Sequence, residues 1–264
     1  MFEHERITWL KNIYPEFKEE KRFEENVYLP YDLKYFDFFN REEKQYTTVI
    51  NPKDIVGIEY GFGYNYYRKI NWYELLCNLR RLDHVMNNFK TKKEVIDHIH
   101  RHYSENDNKC VWKFGTCYFS VAGQHRLCLA KFLDVQSVEV SVTEFKLDKE
   151  RLIRYKKIKS IINDLYKLHF VDKIDNKELI KDSIQKDFCL FIYNELVVID
   201  IDLIPDFIKY YESHMEHKLF YKIQLFINDI LHTSEHEKNI KLKNKNDFKK
   251  ANSLIIKHKM KYYQ

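Results

Sequence analysis

Glycine and proline are scarce in this chain, which has only five glycines and four prolines in 264 residues. Three of the five glycines fall within residues 57–63, so we expect this segment to need unusual backbone angles or a close approach to a ligand. The scarcity, together with abundant lysine, asparagine, isoleucine and tyrosine, is typical of AT-rich bacterial or phage coding sequences. Lysine content alone is therefore weak evidence for a nucleic-acid partner.

Paired cysteines and long apolar runs are also missing. The five cysteines include no Cys-x-x-Cys pair, which argues against a zinc ribbon, and their odd number argues against a disulfide framework. The first residues lack a basic start followed by an apolar run, and no uninterrupted apolar stretch reaches the length of a membrane span. We therefore expect a cytoplasmic protein with no membrane partner.

Aromatic residues, in contrast, are abundant. The chain has 19 Phe and 20 Tyr, which is ample for the core of one or two domains. Its formal net charge of +5 is compatible with a nucleotide or nucleic-acid partner without requiring one. We predict an α+β fold with an N-terminal helical and aromatic extension (residues 1–46), a small mixed sheet with helices (47–147) and a helix-rich C-terminal region with a lysine-rich tail (148–264).

Residues 117–145 have the pattern of a strand, a tight turn, a helix and a second strand. Aromatic and β-branched residues up to Ala122 predict the first strand, and Gly123 supplies the backbone freedom that a sharp turn needs. From His125 onward the apolar residues recur at helical spacing, and valines then alternate with polar residues over 138–143. That alternation predicts a half-buried strand.

The predicted turn is suited to binding an anion. A helix that begins directly after a glycine turn presents unpaired backbone N–H groups and the positive end of its dipole. His125 and Arg126 lie at the mouth of this helix, and the planar guanidinium of arginine matches pairs of phosphate oxygens. The alternative is a plain turn between strand and helix in which Arg126 is a solvated surface charge.

Residues 47–145 resemble the ParB/sulfiredoxin superfamily. The resemblance is carried by Gly123-Gln124-His125-Arg126, by Ala130 near the middle of the following helix, and by the valine-rich strand at 138–142. It extends more weakly upstream, where residues 47–56 resemble the opening strand of the family. Residues 64–68 resemble its Asn-Pro-x-x-x-Arg segment without the proline. The resemblance implies a ParB/sulfiredoxin-like sheet with a nucleotide-phosphate pocket.

The implied ligand is a nucleoside triphosphate, ATP or CTP, with Mg²⁺. Superfamily members that act on phosphates place an acidic residue and an arginine near the segment that here spans residues 57–68. By this resemblance Glu59 and His125 are the candidate catalytic residues, with Glu59 as a general base or metal-organising carboxylate, while the metal ligands stay unassigned. A tyrosine-rich surface loop is the alternative for residues 57–68. The implied phosphate contacts are Arg68, Gly123, Gln124, His125 and Arg126.

The sequence also departs from well-known members of the superfamily. Sulfiredoxins carry a catalytic cysteine where this chain has Gln124, which argues against repair of sulfinic acid. Gly-Gln-His-Arg is closer to the ParB-like domains of restriction, phage-defence and phage proteins. The resemblance therefore implies an NTPase or phosphotransferase in a DNA-related phage or bacterial-defence context. A homodimer is among the assemblies that it allows.

Two other function classes are compatible with the sequence. The first is a DNA-binding protein or metal-dependent nuclease, because carboxylates cluster beside a predicted strand and the tail at 237–263 is dense in lysine. The same tail could equally form a solvated helix face. The second is a non-catalytic interaction module that retains the fold. The carboxylates in question are Glu195, Asp200, Asp202 and Asp206.

A helix predicted over residues 91–103 carries a further histidine motif. Thr91 and Glu94 have the spacing of a capping box at its start. His98 and His102, four residues apart, lie on one helix face and could share a metal ion. No third ligand is identifiable, so a basic helix end is the better interpretation.

Overall fold

A computed structural model describes residues 5–59, 69–104, 108–172, 189–193, 195–214 and 240–262. The chain divides into two compact units, Met1–Asp148 and Lys149–Gln264. Both units combine helices with a β-sheet, so the predicted α+β class is confirmed. Within the described ranges, every helix is too short or too polar to cross a membrane.

The first unit is built on a mixed sheet of five strands in the order β1-β5-β3-β4-β2. The β1/β5 and β3/β4 pairs are antiparallel, whereas β3/β5 and β2/β4 are parallel. The sequence predicts a hairpin over residues 111–122 around Gly115, which is confirmed, and Gly115 adopts the positive φ of 61° that this tight turn requires. The strands are β1 Phe39–Ile50, β2 Ile55–Ile58, β3 Cys110–Phe114, β4 Cys117–Ala122 and β5 Val138–Leu147.

Five helices in the described part of this unit accompany the sheet. The predicted capping box is confirmed, because Thr91 and Glu94 each bond the other's backbone N–H at the start of α4. The sequence predicts a helix over residues 2–23 that Pro15 should end or kink, and α1 ends at Ile13, two residues before Pro15. The helices are α1 Glu5–Ile13, α2 Trp72–Asn78, α3 Leu82–Asn88, α4 Lys92–His100 and α5 Gln124–Phe132.

The sequence pattern also predicts a single helix from Trp72 to residue 87, and this prediction is wrong because the chain breaks into α2 and α3. Leu79 leaves the helix with an extended backbone at φ −63° and ψ 106°. The carbonyls that this break exposes accept from Arg6, whose Nη1 lies 3.1 Å from the Leu76 oxygen and 2.8 Å from the Leu79 oxygen. Because these carbonyls have a hydrogen-bond donor, ending the helix early does not incur the free-energy cost of unsatisfied carbonyl groups.

The N-terminal segment belongs to the same core as the sheet. Trp9 and Leu10 of α1 are buried in a cluster that also contains Val140 and Val142 of β5. The ring of Phe23 stacks on Phe132 of α5, with centroids 4.3 Å apart and planes 12° apart. Residues 1–46 are therefore an integral part of the first unit, and β1 begins inside them.

Gly57 in β2 explains part of the unusual glycine distribution. The chain at Tyr28 runs against β2, with its N–H donating to the Val56 carbonyl and its carbonyl accepting from the Ile58 N–H. A Cβ on Gly57 would lie 1.9 Å from the Tyr28 oxygen. The close approach expected at this glycine is thus made by the protein's own backbone, while Gly61 and Gly63 lie outside the described residues.

The second unit contains three helices and a sheet of three short strands within its described part. The sequence predicts a long basic helix with an apolar stripe over residues 148–168, and the stripe is confirmed, because Leu152, Ile158 and Leu165 of α6 are buried. Ile255 of α8 is also buried, so the described part of the lysine-rich tail docks by an apolar side. The elements are α6 Lys149–Lys167, α7 Ile204–His214, α8 Phe248–Tyr262, β6 Leu190–Ile192, β7 Leu196–Val198 and β8 Ile240–Leu242.

Candidate functional site

The turn between β4 and α5 has the predicted geometry. Gly123 adopts φ 72° and ψ 24° immediately before the first residue of α5. A Cβ at this position would also meet Cγ of Lys109 at 2.9 Å, so both the backbone angle and the packing favour glycine. The first bond of the helix runs from the Leu127 N–H to the Gly123 carbonyl. The N–H groups of the preceding turn therefore have no intrahelical acceptor.

A cavity of about 810 Å³ lies at this helix N-terminus in the first unit. It brings together every predicted site residue that the structure describes: Glu59, Gly123, Gln124, His125 and Arg126. Arg68, the remaining predicted phosphate contact, lies outside the described residues. The cavity is also lined by residues that the sequence did not suggest, namely Arg81, His84, Val85, His98, Tyr103, Ser104 and Val121.

Glu59 reaches the cavity because β2 runs parallel to β4. Its N–H donates to the Ser120 carbonyl over 2.8 Å, which places the end of β2 next to the strand that leads to Gly123. Residues at the carboxyl ends of adjacent parallel strands meet at one edge of a sheet. This topology brings a carboxylate and a helix N-terminus to one cavity although they are far apart in the sequence.

His125 is held as a neutral imidazole. Its Nε2 accepts the backbone N–H of Arg81 at 3.2 Å. Burial lowers the pKa of His125, and the positive charges of Arg81 and Arg6 lower it further. Because Nε2 accepts, the ring proton lies on Nδ1. His125 therefore fixes the segment between α2 and α3 against α5, and it can donate one hydrogen bond without carrying a charge.

The alternative interpretation, in which Arg126 is a solvated surface charge, is wrong. Its side chain lines the cavity, but the residue is only 7% exposed. Nη1 donates to the carbonyl of Arg101 at 2.9 Å, directly after the end of α4. Arg126 thus joins α5 to α4, and at least one of its five N–H donors is committed to this structural bond.

Arg81 is the exposed cation of the cavity wall. It lies between α2 and α3, at the helix break that the sequence pattern did not predict. Its side chain lines the cavity together with His84 of α3. The adjacent Arg80 is equally exposed but does not line the cavity. The Arg80-Arg81 pair was visible in the sequence, but nothing in its spacing distinguished the two residues.

His98 and Tyr103 form an aromatic part of the cavity wall. His98 of α4 packs on the ring of Phe89 with centroids 4.9 Å apart. Its Nδ1 hydrogen bonds to the hydroxyl of Tyr103. His102 instead lies 3.5 Å from a carboxylate oxygen of Glu139. Across the described ranges, no group of three or more His, Cys, Asp or Glu residues could hold a metal ion.

Two of the four carboxylates proposed for a nuclease centre are engaged in ion pairs. Asp202 pairs with Lys157, and Asp206 pairs with Lys245 at 2.8 Å. The hydrogen bond from Lys245 lowers the pKa of Asp206. These pairs account for two of the four carboxylates as ordinary surface contacts within the second unit.

A buried lysine anchors α5 to the start of β2. Lys131 is 6% exposed, and its Nζ donates to the carbonyls of Lys53 and Ile55 at 3.1 and 2.9 Å. The same ammonium lies 4.6 Å from the ring centroid of Trp72. Burial, reinforced by the charge of Arg22, lowers the pKa of Lys131 to about 8. These bonds hold α5 in place behind the cavity.

Stability should rise with pH because of this lysine. Between pH 8 and the ordinary lysine pKa of about 10.5, the unfolded chain binds more protons at residue 131 than the folded chain, so raising the pH favours folding. We expect the wild type to gain about 1 kcal/mol relative to Lys131→Met between pH 7 and pH 9. Urea unfolding of both proteins at each pH measures this difference.

The comparison with the Lys131→Met variant also isolates the effect from other groups. Burial raises the pKa of both Tyr73 and Cys128 to about 12, and these shifts oppose the gain at high pH. The Tyr73 shift is common to both proteins, whereas the charge of Lys131, which lowers the pKa of Cys128, is absent from the variant. A stability difference that stays constant from pH 7 to pH 9 would mean that Lys131 titrates as an ordinary lysine.

Taken together, the cavity offers a helix N-terminus, an exposed arginine, a neutral histidine donor, one carboxylate and an aromatic wall. Donors and positive charge of this kind stabilise a multiply charged anion.

Protein-family models, curated proteins and solved structures give no match to this chain.

Proposed function

We propose that the first unit binds a nucleoside triphosphate, ATP or CTP, in the manner of a ParB-like domain. The observation that carries this proposal is the cavity at the N-terminus of α5, where Gly123 and Gln124 meet Arg81 and Glu59. The ligand phosphates lie against the first turn of the helix. The proposal agrees with the resemblance of residues 47–145 to the ParB/sulfiredoxin superfamily.

The electrostatics of the cavity favour phosphate. The N–H groups of the first helical turn, which have no intrahelical acceptor, and the helix dipole attract an anion without any side chain. Arg81 adds a full charge on an exposed side chain, which can reorient toward the ligand. The bond from Arg126 to the Arg101 carbonyl holds the helix mouth in place, so the N–H donors are already arranged before the ligand binds.

Mg²⁺ and turnover form the second part of the proposal. Glu59 is the single carboxylate among the residues described as lining the cavity. One or two carboxylates together with substrate phosphates are a common set of Mg²⁺ ligands, so Glu59 would hold the ion. The ion would neutralise phosphate charge during hydrolysis or phosphotransfer. The alternative role of Glu59 is that of general base, with neutral His125 as a hydrogen-bond donor in the same cavity.

Calorimetric titration with ATP, CTP, GTP and UTP in the presence of Mg²⁺ tests the phosphate site. We expect saturable binding of at least one nucleotide, and Arg81→Gln should weaken it about 10-fold or more because a charge-assisted hydrogen bond is lost. The matched control is Arg80→Gln, which removes the same charge from the neighbouring position outside the cavity. This control should bind within about twofold of the wild type.

Two outcomes would contradict the proposal. If none of the four nucleotides binds, the turn at Gly123 is structural, and DNA binding by the lysine-rich second unit becomes the hypothesis to test. If Arg80→Gln and Arg81→Gln weaken binding equally, the effect is that of net charge and does not come from this cavity. Saturable binding without product release would instead favour the non-catalytic module.

A further inference from the structure

We infer that Tyr103 is the surface on which the base of the nucleotide stacks. The inference rests on the proposed phosphate site, since Tyr103 and the helix mouth line the same cavity. It narrows the ligand class to a phosphate compound that carries a planar ring. A nucleoside phosphate has such a ring, whereas sugar phosphates and inorganic polyphosphates do not.

Tyr103 presents an aromatic side chain at the cavity wall. It is 52% exposed, although aromatic side chains gain considerable free energy from contact with another apolar surface. Val85 and Val121 add apolar surface to the wall. This combination of apolar surface and a few charged groups is typical of small-molecule sites.

The ring of Tyr103 is held in place before any ligand binds. Its hydroxyl hydrogen bonds to Nδ1 of His98, and the two rings have centroids 5.4 Å apart. His98 is fixed on α4 and packs on Phe89. A side chain already fixed by its neighbours loses little conformational entropy when a ligand stacks on it, which increases the net gain from stacking.

The dimensions of the cavity suit a ligand with two parts. At about 810 Å³ it falls within the range of roughly 300–1,000 Å³ that small-molecule sites occupy. One part of its wall carries the helix N-terminus and Arg81, which suit phosphate. Tyr103 and His98 form the aromatic part, which suits a base. A ligand that is charged at one end and flat at the other satisfies both.

The test compares the tightest-binding nucleoside triphosphate with inorganic tripolyphosphate, both with Mg²⁺, by calorimetry on the full chain. Stacking of a base on an aromatic ring is worth a factor of about 5 to 100 in affinity. We expect Tyr103→Leu to weaken the nucleotide by such a factor while tripolyphosphate binding stays within about twofold. Tyr103→Phe keeps the ring, so its nucleotide affinity should stay within about threefold of wild type.

Tyr31→Leu is the matched control, because Tyr31 is 51% exposed in the same unit and lies outside the cavity wall. It should leave both affinities unchanged. Equal losses for nucleotide and tripolyphosphate in Tyr103→Leu, no loss for either, or a loss in Tyr103→Phe as large as in Tyr103→Leu would each overturn the inference. Wild-type protein that binds tripolyphosphate as tightly as any nucleotide would overturn it and leave the phosphate site standing. Wild-type protein that binds neither ligand would overturn both.

Discussion

Gly57→Ala is expected to destabilise the first unit by about 3 kcal/mol, which is at the upper end of the cost of overpacking a core. The added methyl group would lie 1.9 Å from the carbonyl oxygen of Tyr28 and 2.6 Å from its carbonyl carbon. Neither atom can move freely, because the Tyr28 carbonyl accepts from Ile58 and its N–H donates to Val56. Denaturant unfolding followed by circular dichroism measures the loss.

Gly115→Ala is the matched control for this prediction. Gly115 has a positive φ of 61°, but a Cβ there would meet nothing within 4 Å. Its substitution should cost only about 1 kcal/mol, the price of the left-handed backbone alone. Equal effects of the two substitutions would contradict the close approach of Tyr28 to Gly57, because a clash with backbone atoms should cost more than the left-handed backbone of Gly115.

Arg126→Ala is expected to cost about 3 kcal/mol of stability in addition to weakening nucleotide binding. The substitution leaves the carbonyl of Arg101 without its donor and removes a side chain that is almost fully buried. Loss of a charged hydrogen-bond donor inside a protein typically costs more than loss of a neutral one. Urea unfolding and nucleotide titration on the same preparations measure both effects.

Arg101→Ala provides the control, because the bond from Arg126 goes to the backbone carbonyl of residue 101 and survives truncation of that side chain. Arg101 is exposed, so this variant should stay within about 0.5 kcal/mol of wild type. If Arg126→Ala is as stable as Arg101→Ala, the buried bond contributes nothing. Because Arg126 supports the fold, Arg81 is the cleaner position at which to test phosphate binding.

Local sequence signals predicted much of the first unit. Glycine turns, capping residues and alternating valines act over a few neighbouring positions, and they correctly indicated the β3/β4 hairpin, the cap of α4 and the sequence from β4 through α5 to β5. The break between α2 and α3 was missed because it depends on Arg6, which is 70 and 73 residues away in sequence from the two carbonyls it satisfies. No periodicity near residue 79 encodes that contact.

In the candidate site, too, local sequence signals predicted some residues, whereas others depend on contacts between distant parts of the chain. Gly123, Gln124, His125 and Arg126 are consecutive, so their joint position at a helix mouth was predictable. Arg81 and Tyr103 join them only through the hydrogen bond from Arg81 to His125 and the packing of α4 against α5, which no short motif reports. The burial of Arg126 was not predictable either, because its partner is a backbone carbonyl that any residue type would offer.

The position of β5 in the sheet affects how the first unit folds. β5 lies between β1 and β3, yet it is the last strand of the unit along the chain. β1 pairs with it from Phe39↔Leu147 to Ile50↔Val138, which closes a very long loop. Pairings this distant in sequence slow folding, since loop-closure entropy is lost before the contacts form. During synthesis, β1 therefore has to wait for almost the whole unit to emerge from the ribosome before β5, the strand with which it pairs in the described part of the sheet, exists.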